Sequence, residues 1–211
     1  MKAKYPLSYR EDTLTPQYVL EKIYELTGGD AIIATEVGQH QIWTAQHYKF
    51  TRPRTFVSSG GLGTMGFGLG ASLGAQVGAP GKRVFNIAGD GSFRMNMNEL
   101  ATAVEYKLPV IVVIMNNHAL GMVRQWQNLF YDGRYSHTTL DRGTDFVKLA
   151  EAFGAVGYNL TEKGDVEETI KKAMAQDRPV VINCEIDRDL KVYPMVPPGA
   201  PIEEVIMDIA E

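Results

Sequence analysis

The chain has 211 residues, of which 45% are hydrophobic, and this is enough for one compact domain with a sizeable core. Its 21 basic and 25 acidic side chains leave a net charge of −4, which argues against a general nucleic-acid binder. The single cysteine, Cys184, excludes an intrachain disulfide and makes a reducing cytoplasm the expected location. With no Cys/His cluster in the sequence, a structural zinc site is not expected.

Residues 55–81 carry no charge and are long enough to span a bilayer. Nine of these 27 residues are glycine and several others are polar, so their transfer into lipid would be unfavourable. The N-terminus lacks the apolar core of a signal peptide. We therefore expect no membrane span.

Short apolar runs alternate with helical patterns along residues 13–211, which we expect to form one domain after an N-terminal arm or linker at residues 1–12. Pro16 is a favourable first residue of a helix, and Gly28 is a favourable stop. The predicted helices cover residues 16–27, 41–43, 65–77, 98–107, 121–130, 146–153 and 166–174. The predicted strands cover residues 31–34, 55–57, 84–88, 110–115, 155–158 and 180–185. Turns are expected at residues 60–63 and 89–93, and residues 193–199 are expected to cover the domain without pairing in a sheet.

Continuous apolar strands that alternate with helices predict the α/β class, with a doubly wound, mostly parallel sheet and helices on both faces. In such sheets a ligand binds outside the carboxyl ends of the strands. The loops most informative about function therefore follow Ala34, Val57, Ala88 and Met115.

The loop after Val57 contains a glycine pattern that allows two interpretations. Residues 61–66 (Gly-Leu-Gly-Thr-Met-Gly) match G-x-G-x-x-G between a predicted strand and helix, and Asp90 follows the next strand, as in dinucleotide-binding units. Alternatively, Gly66, Gly70 and Gly74 share one helical face and allow that helix to pack closely against a neighbour. The pattern alone leaves both interpretations open.

The loops after Ala88 and Met115 carry the residues of a possible cation site. Asp90 lies between two glycines at a helix entry, where backbone N–H groups can face an anion. Asn117 follows the next strand, and a right-handed crossover commonly places such strands side by side. A carboxylate, an amide oxygen and a backbone carbonyl are hard ligands that suit Mg²⁺ or Ca²⁺. Together the two loops favour an ion over a pair of ordinary polar turns.

The remaining candidates for metal or redox chemistry are less informative. His47, His118 and His137 have no metal-ligand spacing, and we expect them at the surface or in loops. Cys184 lies in a predicted strand, where it is expected to act as a small buried hydrophobic residue.

Several segments resemble one enzyme family. Residues 89–92 (Gly-Asp-Gly-Ser) followed at this spacing by residues 116–117 (Asn-Asn) look like the thiamine diphosphate and magnesium motif of thiamine-dependent enzymes. Residues 37–43, 59–66 and 120–127 resemble the large subunit of acetolactate synthase, also called acetohydroxyacid synthase. The similarity extends over about residues 6–198 and concerns only the C-terminal, diphosphate-binding domain of that family.

The resemblance implies roles for individual residues. Asp90 and Asn117 would bind Mg²⁺ through side-chain oxygens, and Ala119 would bind it through its carbonyl. The residues implied in cofactor binding are Val37, Gly38, Gln39, His40, Gly63, Met65, Gly89, Gly91, Ser92, Asn117, Leu120, Gly121 and Met122.

Within that set, Met65 would support the thiazolium ring, and Gly63 and Met122 would line the aminopyrimidine. Trp126 resembles the residue that shapes the acceptor pocket, although a helix aromatic that serves only packing is the alternative. Gly70, where the family usually has proline, departs from the pattern without touching a ligand.

These expectations imply an enzyme component that needs a partner. The family's activating glutamate lies in a pyrimidine-binding domain that matches nothing here, so that domain is expected on another chain, in a homo- or hetero-oligomer. FAD is expected only if a partner supplies the middle domain. The substrates would be small 2-oxo acids, with pyruvate decarboxylated and joined to a second one. The alternatives are a non-catalytic module that binds thiamine diphosphate or a dinucleotide, and half of another thiamine-dependent 2-oxo acid decarboxylase.

Overall fold

The structure is a computed structural model that describes residues 12–141 and 143–207, so most of the predicted N-terminal arm lies outside the described residues. The strands are β1 (Ile32–Thr35), β2 (Phe56–Ser58), β3 (Val84–Gly89), β4 (Ile111–Asn116), β5 (Val156–Leu160) and β6 (Val180–Glu185). The helices are α1 (Pro16–Thr27), α2 (Gln39–His47), α3 (Phe67–Gly78), α4 (Asp90–Phe93), α5 (Leu100–Glu105), α6 (Gly121–Phe130), α7 (Phe146–Phe153) and α8 (Val166–Met174). Short 3₁₀ turns span Met97–Glu99 and Lys163–Asp165.

All six strands pair in parallel, in the order β2-β1-β3-β4-β6-β5, which confirms the predicted doubly wound sheet. Strands β3 and β4 are neighbours, and Gly89 lies opposite Met115 in their register. The loops that begin with Asp90 and Asn117 therefore leave the sheet side by side, as the spacing predicted.

Helices cover both faces of the sheet, and the strands supply a separate core to each face. Within β4, Ile111 and Val113 pack on the side of α1, α2 and α8. The alternate residues Val112 and Ile114 pack on the side of α3, α5 and α7. Since successive side chains of a strand point to opposite faces, a strand buried on both faces has a continuous apolar sequence. None of the helices within residues 12–141 and 143–207 has the length and apolar character needed to cross a membrane.

Capping residues explain several element boundaries. Thr15 accepts a hydrogen bond from the backbone of Tyr18 at the start of α1, and Gly28 ends that helix in the left-handed conformation with φ 58°. Asp145 caps α7 in the same way, through the backbone of Lys148. Both helices have the predicted bounds, as do α6 and α8, which have no side-chain cap at their first turn.

The largest departures from the predicted bounds are at residues 89–93 and in helix α2, whereas the other helices and strands begin and end within two residues of the prediction. Residues 89–93 were expected to form a turn, but Asp90–Phe93 is one helical turn stabilised by the side chain of Ser92 at the Gly89 backbone. Helix α2 begins at Gln39, inside the expected loop, and continues past Trp43 to His47. Because α2 is one turn longer than predicted, His47 is buried at 7% exposure and lies 3.4 Å from a carboxylate oxygen of Glu21, rather than at the surface.

Of the three glycines expected to allow close packing, only Gly66 approaches a neighbour closely, since a Cβ atom there would lie 3.0 Å from Cβ of Met95. A Cβ atom at Gly74 would meet nothing within 4 Å, and one at Gly70 would meet only the Asn96 side chain at 4.0 Å. A closer approach, which was not predicted, is at Gly68, whose added Cβ would lie 2.5 Å from Oδ1 of Asn86 and 2.6 Å from the backbone nitrogen of Glu36. Gly68 therefore allows the first turn of α3 to rest directly on the end of β1 and on the Asn86 side chain of β3.

The C-terminal segment covers the domain, but one part of it does pair. Met195 and Ile206 form an isolated antiparallel bridge, outside the main sheet, which the proline-rich sequence did not predict. Val192 is buried and exchanges hydrogen bonds with Gln125 of α6. The prediction for Cys184 is confirmed, since its side chain is fully buried.

Candidate functional site

A cleft opens at the carboxyl edge of the sheet, where β1, β3 and β4 end. It is lined by fourteen of the residues that the sequence singled out, which are Val37, Gly38, Gln39, His40, Met65, Gly89, Asp90, Gly91, Ser92, Asn117, Ala119, Leu120, Gly121 and Met122. Three further residues, Trp43, Met115 and Val123, complete the lining. The fold therefore brings together loops that lie as much as 86 residues apart in the chain.

Asp90 lines the cleft, and one oxygen of its buried carboxylate has no partner among the described residues. Its side chain is 1% exposed, and Oδ2 makes no hydrogen bond to any described residue. Burial raises the pKa of this carboxyl to about 6, although the charge of Arg94 and the backbone N–H of Gly91 oppose the shift. A buried carboxylate oxygen without a partner is unfavourable unless a ligand binds it, so this atom points to a cation or a hydrogen-bond donor as its partner.

The Asn117 loop supplies neutral oxygens beside Asp90. The Asn117 side chain is buried, with Oδ1 accepting a 3.2 Å hydrogen bond from the backbone N–H of Ala119 and Nδ2 donating to Oε1 of Gln39 at 3.3 Å. Among the described residues there is no cluster of three or more His, Cys, Asp or Glu side chains. One carboxylate with amide and carbonyl oxygens is a hard donor set that fits Mg²⁺, which keeps other positions for water and phosphate oxygens.

His40 lines the cleft as a neutral imidazole. Burial lowers its pKa to about 3, and a hydrogen bond with the backbone of Glu36 opposes this only in part. The ring packs so tightly that a Cβ at Gly38 or at Gly89 would lie 2.9 Å from it. A neutral ring can donate one hydrogen bond, and Ser92 Oγ lies 3.5 Å from its Nε2.

The side chain of Gln39 is engaged by the C-terminal half of the chain. Its Nε2 donates to Oε1 of Gln125 at 2.9 Å and to the carbonyl of Leu190 at 2.8 Å, so both N–H donors are in use. These contacts were not predicted, because the resemblance implied that Gln39 binds the cofactor. With both side-chain N–H donors in use, the donor that Gln39 can still offer to an anion is its backbone N–H.

The first turn of α6 closes the cleft through a glycine. A Cβ at Gly121 would overlap Oε1 of Gln39 and would lie 2.6 Å from Nδ2 of Asn117. The backbone of Gly121 thus comes closer to these amides than any other residue would allow. As α6 starts there, its free N–H groups provide positive potential at the cleft.

The charges of the lining residues favour binding of an anion in the cleft only if a cation binds with it. The lining residues include no Lys or Arg, and His40 is neutral. Asp90 is the only lining carboxylate. A strongly anionic ligand would therefore depend on a bound divalent ion and on helix N-termini for charge compensation.

Glu36 supports the cleft from behind and was missed as a functional candidate. Its fully buried carboxylate accepts hydrogen bonds from the backbone of Gly66 at 2.6 Å and of Leu69 at 2.9 Å. Burial raises its pKa, and the backbone N–H groups of the α3 start partly reverse this shift. The carboxylate thereby anchors the loop that carries Met65. An acidic residue directly after a buried strand is the only sequence signal of this role.

Gly63 and Trp126 do not line the cleft. Gly63 lies in an exposed loop with φ 61°, where a Cβ would be 3.7 Å from the Val37 side chain. Trp126 lies one turn beyond Met122 on α6, is 40% exposed and packs edge to face against Phe130. Their predicted contacts with the cofactor and with substrate thus remain predictions.

The fold and the cleft define an α/β domain with a candidate ligand site at the carboxyl edge of a parallel sheet. Residues 36–184 match the family model described as "Thiamine pyrophosphate enzyme, C-terminal TPP binding domain". The match covers most of the chain, including every residue that lines the cleft, and the chain belongs to this family. Thiamine pyrophosphate is another name for thiamine diphosphate.

Curated relatives narrow the comparison. The chain is 48% identical over 209 residues to "Acetolactate synthase" of Mycobacterium bovis. This alignment covers 95% of this chain and 34% of that protein. It is 46% identical to "Acetolactate synthase isozyme 2 large subunit" of Escherichia coli, over 92% of this chain and 36% of the relative. With "Acetolactate synthase catalytic subunit, mitochondrial" of Saccharomyces cerevisiae the identity is 44%, over 97% and 31% of the two chains. The resemblance predicted from the motifs is confirmed, and the chain spans about a third of the length of these relatives.

Proposed function

We propose that this chain is the diphosphate- and Mg²⁺-binding component of an acetolactate synthase-like enzyme. Such an enzyme decarboxylates pyruvate and condenses the remaining two-carbon unit with a second 2-oxo acid. The observation that carries the proposal is the unpartnered Oδ2 of Asp90, buried in a cleft that offers an anion no basic side chain. That combination suits a metal–diphosphate pair better than either ion alone.

The cleft residues divide the binding between a cation and a diphosphate. Asp90, Asn117 and the carbonyl of Ala119 would hold Mg²⁺. The backbone around Gly91 and Gly121 would meet phosphate oxygens, because neither residue has a side chain in the way and both lie in the first turn of a helix. His40 would contribute at most one N–H, since its ring stays neutral.

Two methionines line the cleft beside the polar loops, and both suit the organic part of the cofactor. Met65, held through Glu36, would support the thiazolium ring, and Met122 would lie against the aminopyrimidine. Thiamine diphosphate, when bound, would supply a nucleophilic thiazolium carbon and a cationic ring that takes up the electron pair released as carbon dioxide leaves a 2-oxo acid. The chain's own contribution is to bind, orient and partly desolvate that group.

The proposed reaction needs one more acidic residue than the cleft provides. Asp90 is the only carboxylate in the lining, and the cation would engage it. We infer that the carboxylate that activates the aminopyrimidine comes from a pyrimidine-binding domain outside these 211 residues. Exposed apolar residues at the rim, with Val123 51% and Trp126 40% accessible, suit the face that such a domain would cover.

The dinucleotide alternative receives no support from the geometry. Of residues 61–66, only Met65 lines the cleft, and the glycines of that pattern lie in an exposed loop or at the cap of α3. Asp90 begins a single helical turn beside Asn117 rather than ending a strand that faces a ribose. We therefore expect NAD to bind negligibly.

The test combines binding with turnover. Calorimetry of the purified chain should show thiamine diphosphate binding in Mg²⁺ and none to NAD, whereas NAD binding at micromolar concentration in EDTA would favour the dinucleotide alternative. Incubation with pyruvate, thiamine diphosphate and Mg²⁺ should yield no acetolactate, because no positioned base is available. Robust turnover by the chain alone would show that a second domain is unnecessary. Turnover that appears only with an added pyrimidine-binding partner would support the proposal.

A further inference from the structure

A polar network beside the cleft joins the ends of β4 and β6. Nδ2 of Asn116 donates to Oδ1 of Asn183 and to Oε1 of Glu185, both at 3.0 Å. Nδ2 of Asn183 also donates to Oε1 of Glu185, at 2.7 Å. None of these three residues lines the cleft, yet they lie directly behind the loop that carries Asn117 and Ala119.

The network holds that loop through His118. This residue has φ 54°, in the left-handed region that side chains other than glycine rarely adopt. Two hydrogen bonds fix it there, since its Nε2 lies 2.7 Å from Oε2 of Glu185 and its backbone N–H donates to Oδ1 of Asn116 at 3.3 Å. The proposed cation ligands Asn117 and Ala119 are its two chain neighbours, so the backbone conformation at His118 sets where their oxygens point.

We propose that Glu185, acting through His118, is a positioning residue for the cation-binding loop, and this inference rests on the proposed function above. Mg²⁺ requires near-octahedral geometry at short distances, whereas Ca²⁺ accepts longer and more variable ligand arrangements. A loop held in one conformation therefore favours Mg²⁺. A loop released from Glu185 loses more affinity for Mg²⁺ than for Ca²⁺.

The experiment measures how much cation is needed for thiamine diphosphate to bind. The full chain and its variants are titrated with MgCl₂ or CaCl₂ at a fixed concentration of thiamine diphosphate, and binding is followed by calorimetry or intrinsic fluorescence. For Glu185→Gln, the half-saturating Mg²⁺ concentration should rise about tenfold, as is common when a residue that orients a metal ligand is lost. The half-saturating Ca²⁺ concentration should change by less than about threefold.

Two further variants separate positioning from simple damage to the fold. His118→Gly removes the imidazole but tolerates the left-handed backbone, so it should reproduce the Mg²⁺ defect, and combining it with Glu185→Gln should add little. Asn159→Ala removes the 3.0 Å partner of Asn183 on the far side of the network and should leave the Mg²⁺ requirement unchanged.

The outcomes are distinguishable. If the wild-type chain binds thiamine diphosphate without any cation, the proposed function fails and this inference fails with it. If the wild type needs a cation but Glu185→Gln and His118→Gly stay within twofold of it, only the positioning role is overturned. Equal losses for Mg²⁺ and Ca²⁺ would likewise overturn it, because they indicate general loosening rather than control of ligand geometry.

Discussion

The carboxylate of Glu36 accepts a 2.6 Å hydrogen bond from the backbone N–H of Gly66, thirty residues further along the chain. The same carboxylate accepts from Leu69, so one side chain at the end of β1 caps helix α3. Because Gly66 cannot cap the helix with a side chain of its own, Glu36 takes the place of the usual capping residue. The loop that carries Met65 is thereby tied to the edge of the sheet where the cleft opens.

Replacing Glu36 with Gln should destabilise the chain and loosen this loop. One oxygen would remain an acceptor, but the new amide group would face a backbone N–H that it cannot accept from. We expect the free energy of unfolding to fall by about 1–3 kcal/mol, the usual penalty for a buried group left without its partner. Urea denaturation measures this. Glu168→Gln, which removes only an exposed ion pair with Lys172, is the control and should leave the urea midpoint unchanged.

Two Gly→Ala changes should affect different properties: one weakens cofactor binding, and the other stabilises the fold. At Gly121 a Cβ would overlap Gln39 and crowd Asn117, so Gly121→Ala should weaken thiamine diphosphate binding by at least about tenfold, roughly 1.4 kcal/mol. At Gly74, inside α3, a Cβ meets nothing within 4 Å, and Gly74→Ala should stabilise the helix by about 0.5–1 kcal/mol. Calorimetry and thermal unfolding measure both effects. Equal cofactor affinity in the two variants would show that Gly121 is not at the binding surface.

The lowered pKa of His40 predicts that the folded chain loses stability in acid. Its pKa is lowered to about 3 in the folded chain, whereas the unfolded chain takes up a proton near pH 6.5. This contribution to stability is therefore complete above pH 6.5 and is lost as the pH falls toward 3, by up to about 1.4 kcal/mol per unit. Between pH 7 and 5, wild type should lose about 2 kcal/mol relative to His40→Gln.

Urea titrations of both proteins at each pH give that difference. Other groups, such as Glu36 and Asp90 with their raised pKa values, titrate in both proteins and cancel. A stability difference that stays constant from pH 7 to pH 5 would mean that the His40 ring is protonated in the folded chain.

Asp90 should act against stability when no ligand is bound. Its pKa is raised to about 6, so the folded chain favours the protonated carboxyl, and the destabilisation grows as the pH rises from 4 to 6. Above pH 6 it is complete and reaches up to about 3 kcal/mol. Asp90→Asn should therefore be at least as stable as wild type at pH 7.5 in EDTA. A marked loss of stability in that variant would show that Asp90 has a structural partner.

Much of the fold could be predicted because local signals agree with it. Residues 146–153, 166–174 and 180–185 have the predicted bounds, since capping residues or abrupt changes of hydrophobic period mark their ends. The pairing of β3 with β4 could be predicted from the tendency of consecutive parallel strands to lie side by side, a tendency that β2/β3 and β4/β5 do not follow. The single helical turn at Asp90–Phe93 was missed because four residues contain no helical period.

The site was predicted as a set of loops, but its long-range contacts were not. Periodicity placed several glycines on one face of α3 without saying that Gly68 makes the close contact with Asn86. Gln39 meets Leu190 across 151 residues, and Glu36 binds backbone N–H groups that any residue could supply. Contacts to backbone atoms leave no mark on the partner's sequence, so the functional roles of such residues emerge only from the three-dimensional structure.

The most direct test is the affinity of the chain for thiamine diphosphate, measured by calorimetry in MgCl₂ and in EDTA for wild type and Asp90→Asn. We predict that wild type binds thiamine diphosphate only with Mg²⁺. The Asp90→Asn variant, which is expected to be at least as stable as wild type, should lose more than about tenfold in affinity, because the ion keeps only neutral oxygen ligands from the chain. Equal affinity of the two proteins in Mg²⁺, or wild-type binding that survives EDTA unchanged, would contradict a cation held by Asp90 in this cleft.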